Sequence, residues 1–91
     1  MSDILATHRP HLRKGFRLQW EEAQGAHVLL YPEGMVKLNR SAGEIMIRCD
    51  GATTFAELVC DLERAFSRNH LAEEVRGFLA HAFAQRWIDF S

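Results

Sequence analysis

One turn constrains the fold of this chain more than any other feature. Tyr31-Pro32-Glu33-Gly34 stands between two short segments rich in apolar residues. Pro32 presets the backbone angle of the second turn position, and Gly34 can adopt the left-handed conformation that follows a type I turn. The turn therefore predicts an antiparallel hairpin of two short strands, residues 26–31 and 35–39.

A third strand precedes this hairpin. Phe16, Leu18 and Trp20 alternate with polar neighbours over residues 16–21, and Gln24-Gly25 indicates a turn before the next strand. Three short strands joined by tight turns form an antiparallel meander. If they lie in sequence order, strand 35–39 has an open edge whose free N–H and C=O groups can pair with another chain.

Beyond residue 40 the apolar period changes from two to about 3.6, which indicates helices. Two capping boxes are predicted, one at Ser41 with Glu44 and one at Thr54 with Glu57, each at the start of an apolar stripe. The predicted helices cover residues 42–49, 55–66 and 71–86.

The third predicted helix has a wide apolar surface. Its apolar arc spans roughly 140°, more than the ~100° that a surface helix needs. Ala72, Leu79 and Phe83 form one shoulder of this arc, and Arg76 borders it. Gly77 lies inside the helix, where it costs ~1 kcal/mol relative to alanine, either as a tolerated defect or as a point of close approach.

The order of elements predicts an α+β fold, with a three-stranded antiparallel meander followed by three helices. A winged helix contains the same elements in a permuted order. Residues 1–15 show little periodicity and are predicted to form an N-terminal arm, and residues 16–91 a single domain. A chain of 91 residues supports one domain at most.

Charge and composition exclude several classes of protein. Eleven basic residues face 12 acidic ones, so the basic excess that phosphate binding requires is absent and nucleic acid is not an expected partner. No apolar run approaches the ~20 residues that span a membrane. The two cysteines and the lack of a secretory signal predict reduced thiols and a cytoplasmic location.

No catalytic or metal-binding constellation stands out in the sequence. His8 and His11 are three residues apart, but Pro10 lies between them and no third ligand is near. The adjacent carboxylates do not point in one direction on either a strand or a helix. We therefore predict no enzyme activity, no metal site and no cofactor.

Several runs between residues 17 and 51 resemble the PqqD family of pyrroloquinoline quinone (PQQ) biosynthesis. The most specific are Leu29-Leu30-Tyr31-Pro32-Glu33-Gly34, Leu38-Asn39, Ser41-Ala42-Gly43-Glu44-Ile45 and Cys49-Asp50-Gly51. The likeness extends over about residues 8–90. It implies a non-catalytic peptide chaperone that binds the precursor peptide PqqA and presents it to the radical SAM enzyme PqqE.

The resemblance also implies how such a peptide binds, as a strand added to the third strand and packed on the third helix. The predicted peptide-binding residues are Met35, Val36, Lys37, Leu38, Asn39, Ala72, Arg76, Leu79 and Phe83. Lys37 would steer an acidic peptide toward the edge, or else block the edge against aggregation. Arg76 would meet a peptide carboxylate, and Leu79 and Phe83 are either groove wall or core.

Two further hypotheses remain open from the sequence. An aromatic pocket around Trp20, Tyr31 or Trp87 would let the protein carry the finished quinone or a late intermediate. The open strand edge and the apolar ends of the chain would also allow a homodimer when no peptide is bound.

Overall fold

The computed structural model describes residues 4–91. Its elements are β1 (Pro10–Leu12), β2 (Arg17–Glu21), β3 (Ala26–Tyr31), β4 (Gly34–Lys37), α1 (Arg40–Met46), α2 (Phe55–Phe66), α3 (Ala72–Ala84) and β5 (Ile88–Phe90). The α+β prediction, a three-stranded antiparallel meander followed by three helices, is confirmed. None of the described helices is long and apolar enough to cross a membrane.

The meander has the strand order β2-β3-β4, as its short turns require. Leu18 stands opposite Leu29, and Leu29 stands opposite Val36, so these three side chains share the face that packs on the helices. The hairpin loop contains only Pro32 and Glu33, because Tyr31 and Gly34 already face each other in the ladder. The expected left-handed Gly34 is therefore wrong, since Gly34 is the first residue of β4 and has no positive φ.

The hydrophobic core lies between this sheet and the three helices. Leu29, Leu58 and Leu79 are fully buried in it, one each from the sheet, α2 and α3. Helix α1 packs directly on β3, where Gly43 allows a close approach. A Cβ atom at Gly43 would come within 3.0 Å of the His27 Nδ1 atom.

Strands β1 and β5 form a second, two-stranded ribbon in which Pro10 pairs with Phe90. The ribbon continues through Arg9 and Ser91, whose backbone N–H groups each donate to the other's carbonyl at 2.9 Å. The sequence pattern had assigned residues 1–15 to an arm. A strand of three residues is too short to show a period of two, and its partner is almost a whole chain length away.

The start of α1 differs from the prediction. Asn39 is the N-cap, and its Oδ1 atom accepts the Ala42 backbone N–H at 2.8 Å. The capping box predicted at Ser41 is therefore wrong, and α1 begins at Arg40. Asn39 and Ser41 are both good N-cap residues, so the sequence alone did not distinguish them.

The second predicted capping box is confirmed at the start of α2. The Glu57 backbone N–H donates to the Thr54 Oγ1 atom at 3.1 Å, and the Thr54 N–H donates to the Glu57 carboxylate at 2.9 Å. This reciprocal pair satisfies two N–H groups that have no partner within the helix. The hydrogen bonds that the Glu57 carboxylate makes with Thr54, first of all with its backbone N–H, lower the pKa of Glu57.

Candidate peptide-binding site

Strand β4 has a free edge, because among the described residues it pairs only with β3. The Leu38 backbone N–H donates to the His27 carbonyl at 3.0 Å. Backbone groups in an antiparallel pair point alternately toward and away from the partner strand. The N–H and C=O groups of Val36 therefore point at β3, whereas those of Met35 and Lys37 point outward and are available to an added strand.

The side chains of the predicted edge residues have different environments. Val36 packs against the core, whereas Met35 is 51% exposed and Lys37 is also exposed. Leu38 is buried in the core, and the Asn39 side chain caps α1. A peptide at this edge would thus contact the backbone of Met35 and Lys37 more than the side chains of Leu38 and Asn39.

A cavity opens between α1, α2 and α3, next to Asn39 beyond the end of β4. Its volume is about 220 Å³, below the ~300–1,000 Å³ of typical small-molecule sites. Polar residues lie at Asn39, Ser41, Arg68 and Glu74, and the apolar lining consists of Ala42, Ile45, Leu62, Phe66, Leu71, Val75 and Phe78. An apolar cavity of this size beside a free strand edge suits one or two large side chains of an added strand.

The four residues predicted on α3 are not in the lining of this cavity. Leu79 is fully buried, and Ala72 is half-buried against the core. The Phe83 ring is 38% exposed and lies 5.6 Å from that of Phe90 in β5. The helix surface that reaches the cavity instead carries Val75 and Phe78.

Arg76 is engaged within the protein. Its guanidinium donates to the carbonyl of Ile4 and lies 4.7 Å from the centre of the Phe55 ring. It also pairs with Glu73 at 3.5 Å. In this structure Arg76 therefore joins α3 to α2 and the N-terminal segment, on a different side of the helix from the cavity.

Sequence reasoning missed Phe78 and Val75 as groove residues. Both lie on the central line of the apolar arc, where burial in the core was the simplest interpretation. Only the arrangement of α1 and α2 around α3 shows that this line of residues borders a cavity. No local signal in the helix distinguishes the line that carries Val75 and Phe78 from the shoulder that carries Ala72, Leu79 and Phe83.

A second cleft lies at the other end of β4, between the β3–β4 turn and the end of α3. Its volume is about 460 Å³, and it is lined by Arg13, Lys14, Phe16, Tyr31, Glu33, Gln85, Arg86 and Trp87. The structure thus brings together Tyr31 and Trp87, two of the three aromatic residues suggested for a quinone pocket. The third, Trp20, lies elsewhere, with its ring 5.0 Å from that of His27.

A charge network joins α1 to α2, and its residues are not in the lining of either cavity. The Arg48 guanidinium donates to Asp61 at 2.6 Å and to Glu44 at 2.9 Å. The hydrogen bond from Arg48 holds the pKa of Asp61 below its usual value. Among residues 4–91, no three His, Cys, Asp or Glu side chains are grouped so as to hold a metal ion.

A small α+β domain with a free strand edge beside an apolar cavity belongs to the class of protein modules that bind extended peptides. The family model described as "Coenzyme PQQ synthesis protein D (PqqD)" matches residues 26–88. The chain belongs to the PqqD family. The predicted family membership is confirmed.

Relatives are similar over nearly their full length. A "PqqA binding protein" of Stutzerimonas stutzeri is 44% identical over 98% of both chains, and one of Azotobacter vinelandii is 47% identical over the same shares. A third, of Pseudomonas aeruginosa, is 52% identical over 88% of both chains. These names describe binding and not a reaction, which is consistent with the prediction of a non-catalytic protein.

A solved structure shows the same fold. It is the solution NMR structure of the PqqD truncation of Methylobacterium extorquens PqqCD, described as a functional, stand-alone recognition element for ribosomally synthesized and post-translationally modified peptides. The TM-score is 0.74 at 26% identity, covering 88% of this chain and 87% of that one.

Proposed function

We propose that this protein binds the precursor peptide PqqA as a strand added to β4 and presents it to the radical SAM enzyme PqqE. The observation that carries the proposal is the free edge at Met35 and Lys37 beside the apolar cavity at α3. The names of the relatives support PqqA as the peptide.

Strand addition divides the recognition into two parts. Main-chain hydrogen bonds to Met35 and Lys37 supply affinity for any extended peptide, and side-chain pockets supply selectivity. Because the cavity lies next to the end of β4, an apolar side chain on the helix-facing side of the added strand enters it. Another enzyme then carries out the chemistry on the peptide held in this extended form.

Titration of the labelled protein with synthetic PqqA, followed by NMR, tests this site. We expect the amide shifts to concentrate on β4 and on the part of α3 from Leu71 to Phe78. Shifts confined to other surfaces, such as the Arg48 network, would contradict the proposed groove.

Two phenylalanines on α3 allow a matched comparison. Phe78 lines the cavity, whereas Phe83 stacks with Phe90 on another side of the helix. Removing an aromatic contact of about 1.5 kcal/mol raises Kd about tenfold. We expect Phe78→Ala to show this loss in calorimetric titration with PqqA and Phe83→Ala to bind as the wild type. A selective loss with Phe83→Ala would instead support the helix shoulder inferred from the sequence.

A second candidate function is carriage of the quinone or a late intermediate. It is favoured by the aromatic cleft in which Tyr31 and Trp87 lie near cationic side chains. Equilibrium dialysis with PQQ tests it directly. Retention of the quinone at a one-to-one ratio would support this candidate, and free passage would exclude it.

We also propose that the free β4 edge allows a homodimer when PqqA is absent. Sedimentation velocity at high protein concentration should then show some dimer that PqqA dissociates, and monomer alone would contradict the proposal.

Both cysteines are free in the structure, which supports the proposed reducing, cytoplasmic setting.

The step of presentation to PqqE has its own test. PqqE immobilised on a sensor should bind this protein more tightly when PqqA is present than when it is absent. An equal response with and without the peptide would count against presentation.

A further inference from the structure

We infer that the cleft at the β3–β4 turn binds a carboxylate of the same peptide, at a fixed distance from the apolar side chain in the cavity. The inference rests on the proposed function, since it assigns a second contact to the peptide that lies along β4. It makes the ligand an extended peptide with one apolar and one acidic contact residue.

The charges in the cleft favour an anionic group. Arg13, Lys14 and Arg86 line it together with a single acidic residue, Glu33. Arg13 is paired with Asp89 at 3.4 Å, whereas Lys14 and Arg86 have no ion pair within residues 4–91. The chain as a whole carries a net charge of −1, so this concentration of cations is local.

The neutral lining of the cleft also suits a carboxylate. Tyr31 contributes a hydroxyl, and Trp87 an indole N–H, both of which can donate to an anionic oxygen. The Phe16 ring lies 5.4 Å from that of Tyr31 and makes one wall apolar. Lys14 and Arg86 are exposed, so an ion pair of either one with a carboxylate is partly screened by solvent.

Arg86 is held at the cleft by the end of α3. It has a φ of 65°, in the left-handed region that favours glycine or asparagine. The Arg86 N–H donates to the Phe83 carbonyl and the Trp87 N–H to the Ala82 carbonyl, which is the hydrogen bonding of an ordinary helix end. This turn fixes the backbone from which the Arg86 side chain reaches the cleft.

The two ends of β4 set the spacing between the contacts. The cavity includes Asn39 and the cleft includes Tyr31 and Glu33, so they lie beyond opposite ends of the strand. The stretch from Gly34 to Asn39 extends over about 17 Å at ~3.4 Å per residue. A peptide paired along it therefore places the carboxylate about five residues from its apolar contact residue.

A charge-removal series with synthetic PqqA tests the inference. Lys14→Gln and Arg86→Asn each remove one cation, and asparagine suits the left-handed backbone at position 86. We expect Kd to rise about threefold for each and about tenfold for the pair, with a weaker dependence on salt. Arg64→Gln, an exposed cation on α2, is the matched control and should leave Kd unchanged.

Peptides with single Glu→Gln or Asp→Asn changes locate the carboxylate. One of them should weaken binding to the wild type about tenfold and have no further effect on the double variant. Wild-type affinity of the double variant for PqqA would overturn the inference. The inference is also overturned if the double variant no longer retains PQQ in dialysis while its affinity for PqqA is unchanged. The carboxylate bound in the cleft would then be that of the quinone.

A backbone variant separates this inference from the proposed function. Lys37→Pro blocks the strand edge without touching the cleft. If Lys37→Pro weakens binding and the cation variants do not, strand addition stands and the carboxylate contact is wrong. If Lys37→Pro binds as the wild type, strand addition itself is wrong.

Discussion

Replacing Lys37 by proline removes one donor from the free edge of β4 and none from the sheet. The Lys37 N–H points away from β3, because the neighbouring Leu38 N–H is the one that donates across the ladder. Proline also requires an extended residue before it, which Val36 already is. The variant is therefore expected to fold and to lose peptide affinity.

The size of the loss follows from the hydrogen bond that cannot form. A peptide carbonyl left without its donor on association costs about 1–3 kcal/mol. At 1.4 kcal/mol for each factor of ten, Kd rises by about five- to 140-fold. Lys37→Ala keeps the N–H and removes only an exposed charge, worth about 0.2–1 kcal/mol, so its Kd should rise less than about fivefold.

Isothermal titration of both variants with synthetic PqqA measures this difference. Circular dichroism and thermal melting first establish that Lys37→Pro has the wild-type fold. Met35→Pro is a second variant of the same kind, because the Met35 N–H also points outward. A folded Lys37→Pro protein that binds PqqA as well as Lys37→Ala does would refute strand addition.

Three further predictions concern the protein without its ligand. Gly77→Ala should raise the free energy of unfolding in urea by about 0.5–1 kcal/mol, because Gly77 is inside α3 and a Cβ there meets nothing within 4 Å; a loss of stability would contradict this. A thiol reagent should modify Cys60 rapidly in the native protein and Cys49 only after unfolding, because burial raises the pKa of Cys49 to about 12. Rapid modification of both cysteines in the native protein would contradict the burial of Cys49. Backbone N–H groups lower the pKa of Asp50 in the folded state. Asp50 therefore adds to the free energy of unfolding at a pH above 3.8, its usual pKa, and this stabilisation is lost as the pH falls below that value. Urea unfolding at pH 7 and pH 3 should show a smaller acid-induced loss for Asp50→Asn, and an equal loss would rule this contribution out.

Elements with local signals could be predicted from the sequence. Alternation located β2, and the flanking turn residues located β3 and β4, to within about two residues; the Thr54 capping box marked the start of α2. These signals depend on residues that are near one another in the chain. They hold because the tertiary environment agrees with the local preference.

Elements defined by distant partners could not be predicted. The β1–β5 ribbon joins Pro10 to Phe90, and neither strand is long enough to show a pattern. The side of α3 that borders the cavity depends on how the neighbouring elements pack around the helix. The sequence of α3 alone does not contain this information. Arg76 shows the same limit, because its partner Ile4 is at the other end of the chain.

Amide hydrogen exchange along β4 tests strand addition most directly. In the free protein the amides of Val36 and Leu38 should exchange slowly and those of Met35 and Lys37 rapidly, since only the first two bond to β3. Saturating PqqA should slow exchange at Met35 and Lys37 and leave the pattern of the other two unchanged. Rapid exchange at Met35 and Lys37 in the PqqA-saturated protein would contradict a strand added to β4.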